Sequence, residues 1–117
     1  MLWDGFDDTR RSFASGQRER NPKLSGTICD ALMTNTPGEI TFPINRQLIG
    51  DGITANDEEV ARAVAFAFHD LKLVVEPGGA IGLAALMSGK VDVAGKIVVA
   101  VLSGGNVDAD LFHRLVA

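Results

Sequence analysis

Apolar residues recur at helical spacing along much of the chain, and short apolar runs separate these stretches. The clearest helical pattern ends near Leu71, and it follows Asn56 and Glu59, which match a capping box. Gly16 and Gly89 suit the C-terminal ends of two other helices. The pattern predicts helices over residues 4–15, 42–49, 57–71, 80–89 and 108–116.

The helix over 42–49 has a candidate N-terminal cap in the segment that precedes it. Thr36 offers a capping hydroxyl, Pro37 suits a first helical turn, and Glu39 stands three residues after the threonine. These residues predict that the helix is capped by Thr36.

Three short apolar runs, over residues 52–54, 73–75 and 96–102, are predicted as strands. The last of them, KIVVAVL, is a nearly continuous β-branched run, which is typical of a strand buried on both faces of a parallel sheet. Strands that alternate with helices predict an α/β architecture, in which helices cover a parallel sheet.

Charge and composition narrow the classes of partner. The chain has 117 residues, with 11 Lys and Arg against 15 Asp and Glu, and a net charge of −4. This balance argues against nucleic acid as a main partner, because binding to phosphates needs a basic face. Hydrophobic residues make up 46% and charged residues 22%, which is the composition of a folded globular chain rather than a disordered one.

The compartment is predicted from the single cysteine and from the absence of targeting features in the sequence. Cys29 has no second cysteine with which to form an internal disulfide, so the reducing cytoplasm is the expected location. No apolar run approaches the roughly 20 residues of a membrane span, and the first residues lack the pattern of a signal peptide.

The strongest candidate for chemistry is the turn Ser103-Gly104-Gly105-Asn106, between the last strand and the last helix. Ligands of α/β sheets bind beyond the carboxyl ends of the strands, where glycines allow close approach and a hydroxyl can direct one hydrogen bond. Two other interpretations stay open: a purely structural turn, and a small phosphate- or nucleotide-binding site at the helix N-terminus.

Acidic residues offer two weaker candidates. Glu76 follows the run 73–75, and either a buried functional carboxylate or a partly exposed acid at the next helix start fits this position. Asp7 and Asp8 could help to hold a divalent cation, but two acids at a helix start are also explained by the helix dipole.

The histidines and the cysteine predict no site of their own. His69 and His113 lack a second ligand at metal-binding spacing, so both are expected on helix surfaces or in packing contacts. Cys29 has no CxxC partner and no neighbouring base in the sequence, which predicts an inert buried thiol.

Taken together, the motifs resemble those of a known family. The ordered set consists of GFDDT (5–9), SGTICDA (25–31), TPGEITFPI (36–44), EPGGA (76–80) and VVAVLSGGNVD (98–108). It is similar to the C-terminal part of the threonine/serine dehydratases, which are pyridoxal-phosphate (PLP) enzymes of the tryptophan-synthase-β-like fold (fold type II) and include serine racemases. The resemblance implies that residues 1–117 are the C-terminal portion of the large domain, a partial three-layer sandwich with parallel strands, without the small domain.

The resemblance also implies roles for individual residues. In that family a lysine forms a Schiff base with PLP, and a hydroxy amino acid is converted to a 2-oxo acid and ammonia. Ser103 matches the serine that hydrogen-bonds the pyridine nitrogen, with Gly104 beside it in the cofactor site. Glu76 matches a carboxylate near the cofactor pocket, and Ala31 matches a small residue, often glycine, whose backbone lines that pocket.

Some relatives bind a divalent cation through a glutamate, a backbone carbonyl and an aspartate. The carbonyl of Phe6 and the carboxylate of Asp8 match two of these ligands, but the glutamate position holds Leu2. The sequence therefore departs from the family pattern at the cation site.

A larger departure concerns the Schiff-base lysine and the glycine-rich phosphate loop, which lie upstream in the family. The lysines of this chain are Lys23, Lys72, Lys90 and Lys96, and none stands in the Ser-x-Lys context. The chain alone is therefore expected to be inactive. Its expected protein partner is further copies of itself, in a homo-oligomer, or a complementing N-terminal chain. The alternative is a non-catalytic remnant that self-associates or binds a partner, because the apolar strand 96–102 would lack some of its neighbours.

Overall fold

Two helices packed side by side form the centre of the fold, which a computed structural model describes for residues 2–117. The helices are α1 Asp8–Ser15, α2 Thr41–Leu48, α3 Asp57–His69, α4 Pro77–Met87 and α5 Ala109–Val116, with a 3₁₀ turn at Asp30–Leu32. Two short strands, β1 Leu2–Trp3 and β2 Thr54–Ala55, pair in parallel with Leu2 opposite Thr54. The predicted strand at 52–54 is thus present, displaced towards Ala55.

Helix α3 begins where the capping box predicts. The Glu59 N–H donates to Asn56 Oδ1, and the Asn56 N–H donates to Glu59 Oε2, both at 2.9 Å. The helix ends at His69, two residues before the predicted end, because Lys72 adopts a left-handed φ of 61° and its Nζ donates to the His69 carbonyl. The capping prediction is confirmed.

The core lies where α3 meets α4, and small side chains allow the two helices to approach closely. Its buried residues are Cys29, Ala55, Val60, Ala63, Val64, Ala67, Val75, Ala80, Ile81 and Ala84. Helix α5 covers one side of this core through Phe112 and Leu115, and the Phe112 ring meets the Phe68 ring edge-on at 5.3 Å. Asp108 accepts a hydrogen bond from the Leu111 N–H, which confirms the predicted start of the last helix.

The predicted cap of α2 is wrong. The helix begins at Thr41, and the residue before it, Ile40, provides no side-chain cap. Thr36 lies outside the helix, and its Oγ1 donates to the Glu19 carbonyl at 2.8 Å. The Thr36 hydroxyl, which the local spacing predicted as the helix cap, therefore bonds instead to a residue far away in the sequence.

Helix α1 begins at Asp8 rather than Asp4, because the residues before it belong to the strand pairing. The Asp4 N–H donates to the Ala55 carbonyl at 2.9 Å, which extends the ladder between β1 and β2. The helix ends as predicted at Gly16, whose φ of 77° closes the last turn.

A clamp between Asp7 and two arginines makes the stability of the α1 region depend on pH. Burial tends to raise the pKa of the Asp7 carboxyl, but hydrogen bonds from Arg10 and Arg11 outweigh it and hold the pKa below its usual value. The contribution should be complete above about pH 4 and be lost as the pH falls through the lowered pKa. Asp7→Asn should cost about 1 kcal/mol at pH 7 and less at pH 3, by urea unfolding. Asp51→Asn, at an exposed position, is the control. An equal loss of unfolding free energy in this control would contradict the stabilising role of the Asp7 ion pairs.

Segment 97–102 corrects the prediction of a strand buried on both faces. Its side chains alternate as in a strand: Ile97, Val99 and Val101 are 100%, 85% and 74% exposed, while Leu102 packs against the core. Over residues 2–117, the backbone groups of this segment make no hydrogen bond. The run is exposed on one face because the described chain supplies no strand beside it.

The run 73–75 also forms no strand, although Val75 is buried in the core. Among the helices of residues 2–117, none is long and apolar enough to cross a membrane.

Candidate functional site

The turn 103–106 lies directly against the N-terminus of α4. The Glu76 N–H donates to the Gly104 carbonyl at 3.1 Å. A Cβ on Gly79 would stand 2.7 Å from the Ser103 carbonyl oxygen, closer than real Cβ contacts allow. Backbone thus packs on backbone here, and the first turn of α4 requires glycine at this position.

The Glu76 carboxyl lies over the other face of the same turn. A Cβ on Gly104 would stand 3.0 Å from Glu76 Cδ, and Gly104 has a φ of 103° that side chains rarely adopt. Glu76 is half-buried and precedes α4, but its side chain does not cap the helix. The carboxyl therefore faces the turn rather than the helix N–H groups.

Ala31 joins the site from the 3₁₀ turn. A Cβ on Gly78 would stand 3.4 Å from the Ala31 Cβ, so this turn passes beside the start of α4. The structure places all four predicted cofactor residues around one helix N-terminus. They are Ala31, Glu76, Ser103 and Gly104.

An open cleft of about 440 Å³ runs along α4, and of the four predicted cofactor residues Ser103 lines it, whereas Ala31, Glu76 and Gly104 do not. Its floor includes Gly79, Gly82 and Leu86, and one wall is the segment 98–101. Among the residues that line the cleft, Ser103 has the one hydroxyl-bearing side chain. That side chain makes no hydrogen bond with residues 2–117. A mostly apolar cleft with one polar side chain in its lining has the character of a small-molecule site.

No amine of the described chain lines this cleft. Lys72 Nζ donates to the His69 carbonyl, and Lys96 Nζ donates to the Asp92 carbonyl at 2.8 Å. Lys90 is held by Glu59 at 2.7 Å. Lys23 borders a separate cleft near Phe6.

The cation ligands implied by the family pattern form an incomplete set. Asp8 is buried, its Oδ1 accepts from Asn21 Nδ2 at 2.8 Å, and its Oδ2 has no hydrogen-bond partner. Leu2 contributes no side-chain oxygen, and residues 2–117 contain no group of three His, Cys, Asp or Glu side chains placed to hold a metal. These residues do not fit a three-ligand cation site.

The predicted packing role of His69 is confirmed, because its Nε2 lies 2.7 Å from the Val116 carbonyl oxygen and joins α3 to α5. His113 is exposed on α5.

Cys29 is fully buried, as predicted for an inert thiol. Burial raises the pKa of the Cys29 thiol from 9.0 to about 11, so roughly 100-fold fewer thiolates exist at neutral pH.

Iodoacetamide should therefore label Cys29 at least about 100-fold more slowly in the folded chain than in urea. The thiol introduced by Ser25→Cys, at an exposed position, is the internal reference. Equal rates for both thiols in the folded chain would contradict the assignment.

Two residues that position the site were not predicted. Asp57 accepts hydrogen bonds from Thr27 Oγ1 at 2.6 Å and from the Ile28 N–H at 3.2 Å, which fixes the loop that leads to Ala31. Gly79 provides the close approach to Ser103. Two successive glycines in a helical first turn were a usable signal for Gly79, but the pairing of Asp57 with Thr27 has no local signature.

Comparison with known proteins agrees with this geometry. The family model described as "Pyridoxal-phosphate dependent enzyme" matches residues 4–104. The L-threonine ammonia-lyase of Thermotoga maritima is 36% identical over 105 residues, which cover 88% of this chain and 26% of that protein. The L-threo-3-hydroxyaspartate ammonia-lyase of Saccharomyces cerevisiae is 36% identical over 113 residues, which cover 95% of this chain and 34% of that protein.

Solved structures give the same result. A threonine deaminase from the organism abbreviated T.th. superposes with a TM-score of 0.84 at 33% identity, over 92% of this chain and 36% of that one. Maize serine racemase superposes with a TM-score of 0.82 at 32% identity, over 97% of this chain and 35% of that one. The chain therefore spans about a third or less of the length of these relatives.

The match confirms the resemblance and the fold class predicted from it, because the family model covers most of the chain and these structural neighbours are PLP enzymes of fold type II. The chain belongs to the pyridoxal-phosphate-dependent enzymes of fold type II and is similar to their threonine/serine dehydratase members.

Proposed function

We propose that this chain forms one wall of the cofactor site of a cytoplasmic PLP-dependent ammonia-lyase, as the C-terminal portion of its large domain. The enzyme would convert a hydroxy amino acid to a 2-oxo acid and ammonia. The observation that carries the proposal is the position of Ser103, which lines the cleft and lies on a turn packed against α4.

The residues present fit the ring of PLP. Gly79 and Gly104 keep the surface beside Ser103 free of side chains, and a Cβ at either position would collide with the turn or with Glu76. The Ser103 hydroxyl can donate one hydrogen bond to a ring nitrogen. The lysine and the phosphate loop of the family are not among these residues.

When bound, PLP supplies an electron sink for the charge left at the substrate carbon after loss of its proton. Ser103 would hold the pyridine nitrogen with a neutral hydroxyl, which does not require a protonated ring and would so moderate that sink. Glu76 acts as a positioning residue: its N–H binds the Gly104 carbonyl, and its carboxyl fills the space above Gly104. Ala31 lies beside the first turn of α4, and its neighbour Leu32 lines the cleft.

A single-chain chimera tests this role of Ser103. The T. maritima ammonia-lyase would carry the present chain in place of its own matching segment. Ser103→Ala should lower kcat/KM for L-threonine about 2- to 10-fold, because a neutral hydrogen bond of about 0.5–1.5 kcal/mol is lost. The matched control Ser25→Ala, also an exposed serine, should leave kcat/KM unchanged.

The substrate class is tested in the same chimera. L-Threonine, L-serine and 3-hydroxyaspartate should release ammonia, whereas L-alanine should not, because it has no β-hydroxyl to leave. Ser103→Ala with full activity, or equal turnover of alanine, would contradict the proposal.

A second candidate function is a non-catalytic, self-associating module. The bare side chains of Ile97, Val99 and Val101 favour it, because an exposed apolar strand invites pairing with another chain. Sedimentation at several concentrations distinguishes the candidates. A monomer that binds no apolar dye would reject self-association.

A further inference from the structure

A buried carboxylate lies on α1, outside the lining of the cleft that holds Ser103. Asp8 begins this helix and is only 1% exposed, and its Oδ2 has no hydrogen-bond partner within residues 2–117. The ion pairs of these residues do not include Asp8. Burial of a carboxylate is costly unless hydrogen bonds or positive charge compensate it. The helix N-terminus supplies part of this compensation, and neighbouring side chains must supply the rest.

The side-chain amide of Asn21 connects Asp8 to an arginine. Asn21 is buried, its Nδ2 donates to Asp8 Oδ1 at 2.8 Å, and its Oδ1 accepts from Arg11 Nη2 at 2.8 Å. Because a guanidinium can only donate hydrogen bonds, the amide oxygen faces Arg11 and the amide NH₂ group faces the carboxylate. Hydrogen bonds in such a chain polarise one another, so the positive charge of Arg11 acts on Asp8 through the amide.

Four charged side chains form a cluster at this helix start, and their charges cancel. They are Asp7, Asp8, Arg10 and Arg11. Both oxygens of Asp7 are occupied, since Oδ2 accepts from Arg10 Nη2 at 2.6 Å and Oδ1 accepts from Arg11 Nε at 2.9 Å. A divalent cation would therefore meet a neutral cluster, without the excess of carboxylate charge that attracts it elsewhere.

The same network joins α1 to the segment 19–35. Asn21 Nδ2 also donates to the Thr34 carbonyl at 2.8 Å, and the Asn21 N–H donates to the Asn35 carbonyl at 2.8 Å. Nearby, the fully buried Ser12 Oγ accepts from the Glu19 N–H at 2.7 Å. Both ends of the segment are thus held at one helix, and Ala31 lies between them.

We infer that the Arg11 guanidinium, acting through the Asn21 amide, takes the place of a divalent cation beside Asp8. The family pattern has a glutamate where this chain has Leu2, which offers no side-chain oxygen. Arg11 supplies the positive charge instead, and Asn21 supplies the bond to the carboxylate. Helix α1 and the segment 19–35 are therefore held together without a metal. The inference concerns the stability of the chain and depends on neither PLP nor substrate.

Urea unfolding of the chain with and without divalent cations is the first test. The midpoint should be the same in EDTA as in millimolar Mg²⁺, Mn²⁺ or Ca²⁺, with KCl added to keep the ionic strength constant. A midpoint that one of these cations raises in the native chain, but not in Asp8→Asn, would show that a cation occupies the site. The inference would then be wrong.

A double-mutant cycle tests the connection between Arg11 and Asp8. Arg11→Gln should raise the equilibrium constant for unfolding at least about tenfold, because charge-assisted hydrogen bonds are lost. In the Asp8→Asn background the same substitution should have an effect at least about threefold smaller, because the carboxylate that Arg11 compensates is gone.

Arg62→Gln is the matched control. Arg62 also follows its acidic partner by four residues, with 2.7 Å between its Nη1 and Glu58 Oε1, but both side chains are exposed. This substitution should raise the unfolding constant about twofold or less, and equally with and without Asp8→Asn.

Equal effects of Arg11→Gln with and without Asp8→Asn would overturn the inference, because the arginine would then serve Asp7 alone. The same cycle in the single-chain chimera, where the rest of the large domain is present, covers any variant that does not fold as the isolated chain. Because unfolding is measured without substrate, a failure here and a failure of the proposed function are separate results.

Discussion

The isolated chain, mixed with PLP and L-threonine, should release no 2-oxobutanoate above a control that contains PLP without protein. The physical reason is the position of its amines. Lys72 and Lys96 donate to backbone carbonyls of their own segments, Lys90 is paired with Glu59 and the Thr54 carbonyl, and Lys23 borders a different cleft. Among residues 2–117, no lysine lines the cleft that contains Ser103.

A dehydrogenase-coupled assay for the 2-oxo acid measures this directly. Because PLP reacts slowly with any exposed amine, the visible spectrum must be compared among Lys→Arg variants at positions 23, 72, 90 and 96. Turnover above the PLP control that one of these substitutions abolishes would show that the chain carries its own Schiff-base lysine, and the prediction would fail.

Gly79→Ala should destabilise the chain by about 1–3 kcal/mol, although alanine is the better helix former. The added Cβ would stand 2.7 Å from the Ser103 carbonyl oxygen, and backbone on both sides leaves little room to move. Either α4 or the turn that carries Ser103 must shift. In the active chimera the same substitution should therefore impair cofactor binding as well as stability.

Gly82→Ala is the matched control, one turn further along the same helix. There the nearest atom to an added Cβ is the Val101 carbonyl oxygen at 3.8 Å, an ordinary contact. This variant should be stabilised by about 0.5–1 kcal/mol through helix propensity alone. Urea unfolding measures both variants. Equal effects of the two substitutions would show that the close packing of Gly79 on Ser103 does not constrain the fold.

Elements specified by neighbouring residues could be predicted from the sequence. The reciprocal bonds between Asn56 and Glu59 start α3, Asp108 starts α5, and Gly16 ends α1, since each depends on residues within one helical turn. The prediction failed at Thr36, because its hydroxyl bonds to Glu19, a residue distant along the chain.

The failure at segment 97–102 has a different cause. Its β-branched residues give the alternation of a strand, but burial and pairing depend on neighbours that residues 2–117 do not provide. For Glu76, local pattern left two interpretations open, and the contact of its carboxyl with Gly104 favours a role at the turn. The sequence pattern could not decide between the two interpretations, because Glu76 and Gly104 are far apart in the chain and meet only in the folded structure.

In the proposed enzyme, these residues complete a PLP site that begins in another part of the polypeptide fold. The most direct measurement is the release of 2-oxobutanoate from L-threonine by two proteins. One is the chimera of this chain with the T. maritima ammonia-lyase, and the other is the same ammonia-lyase without its matching segment. We expect turnover that depends on PLP in the chimera and none in the truncated protein. A folded, PLP-binding chimera without turnover, or a truncated relative as active as the chimera, would contradict it.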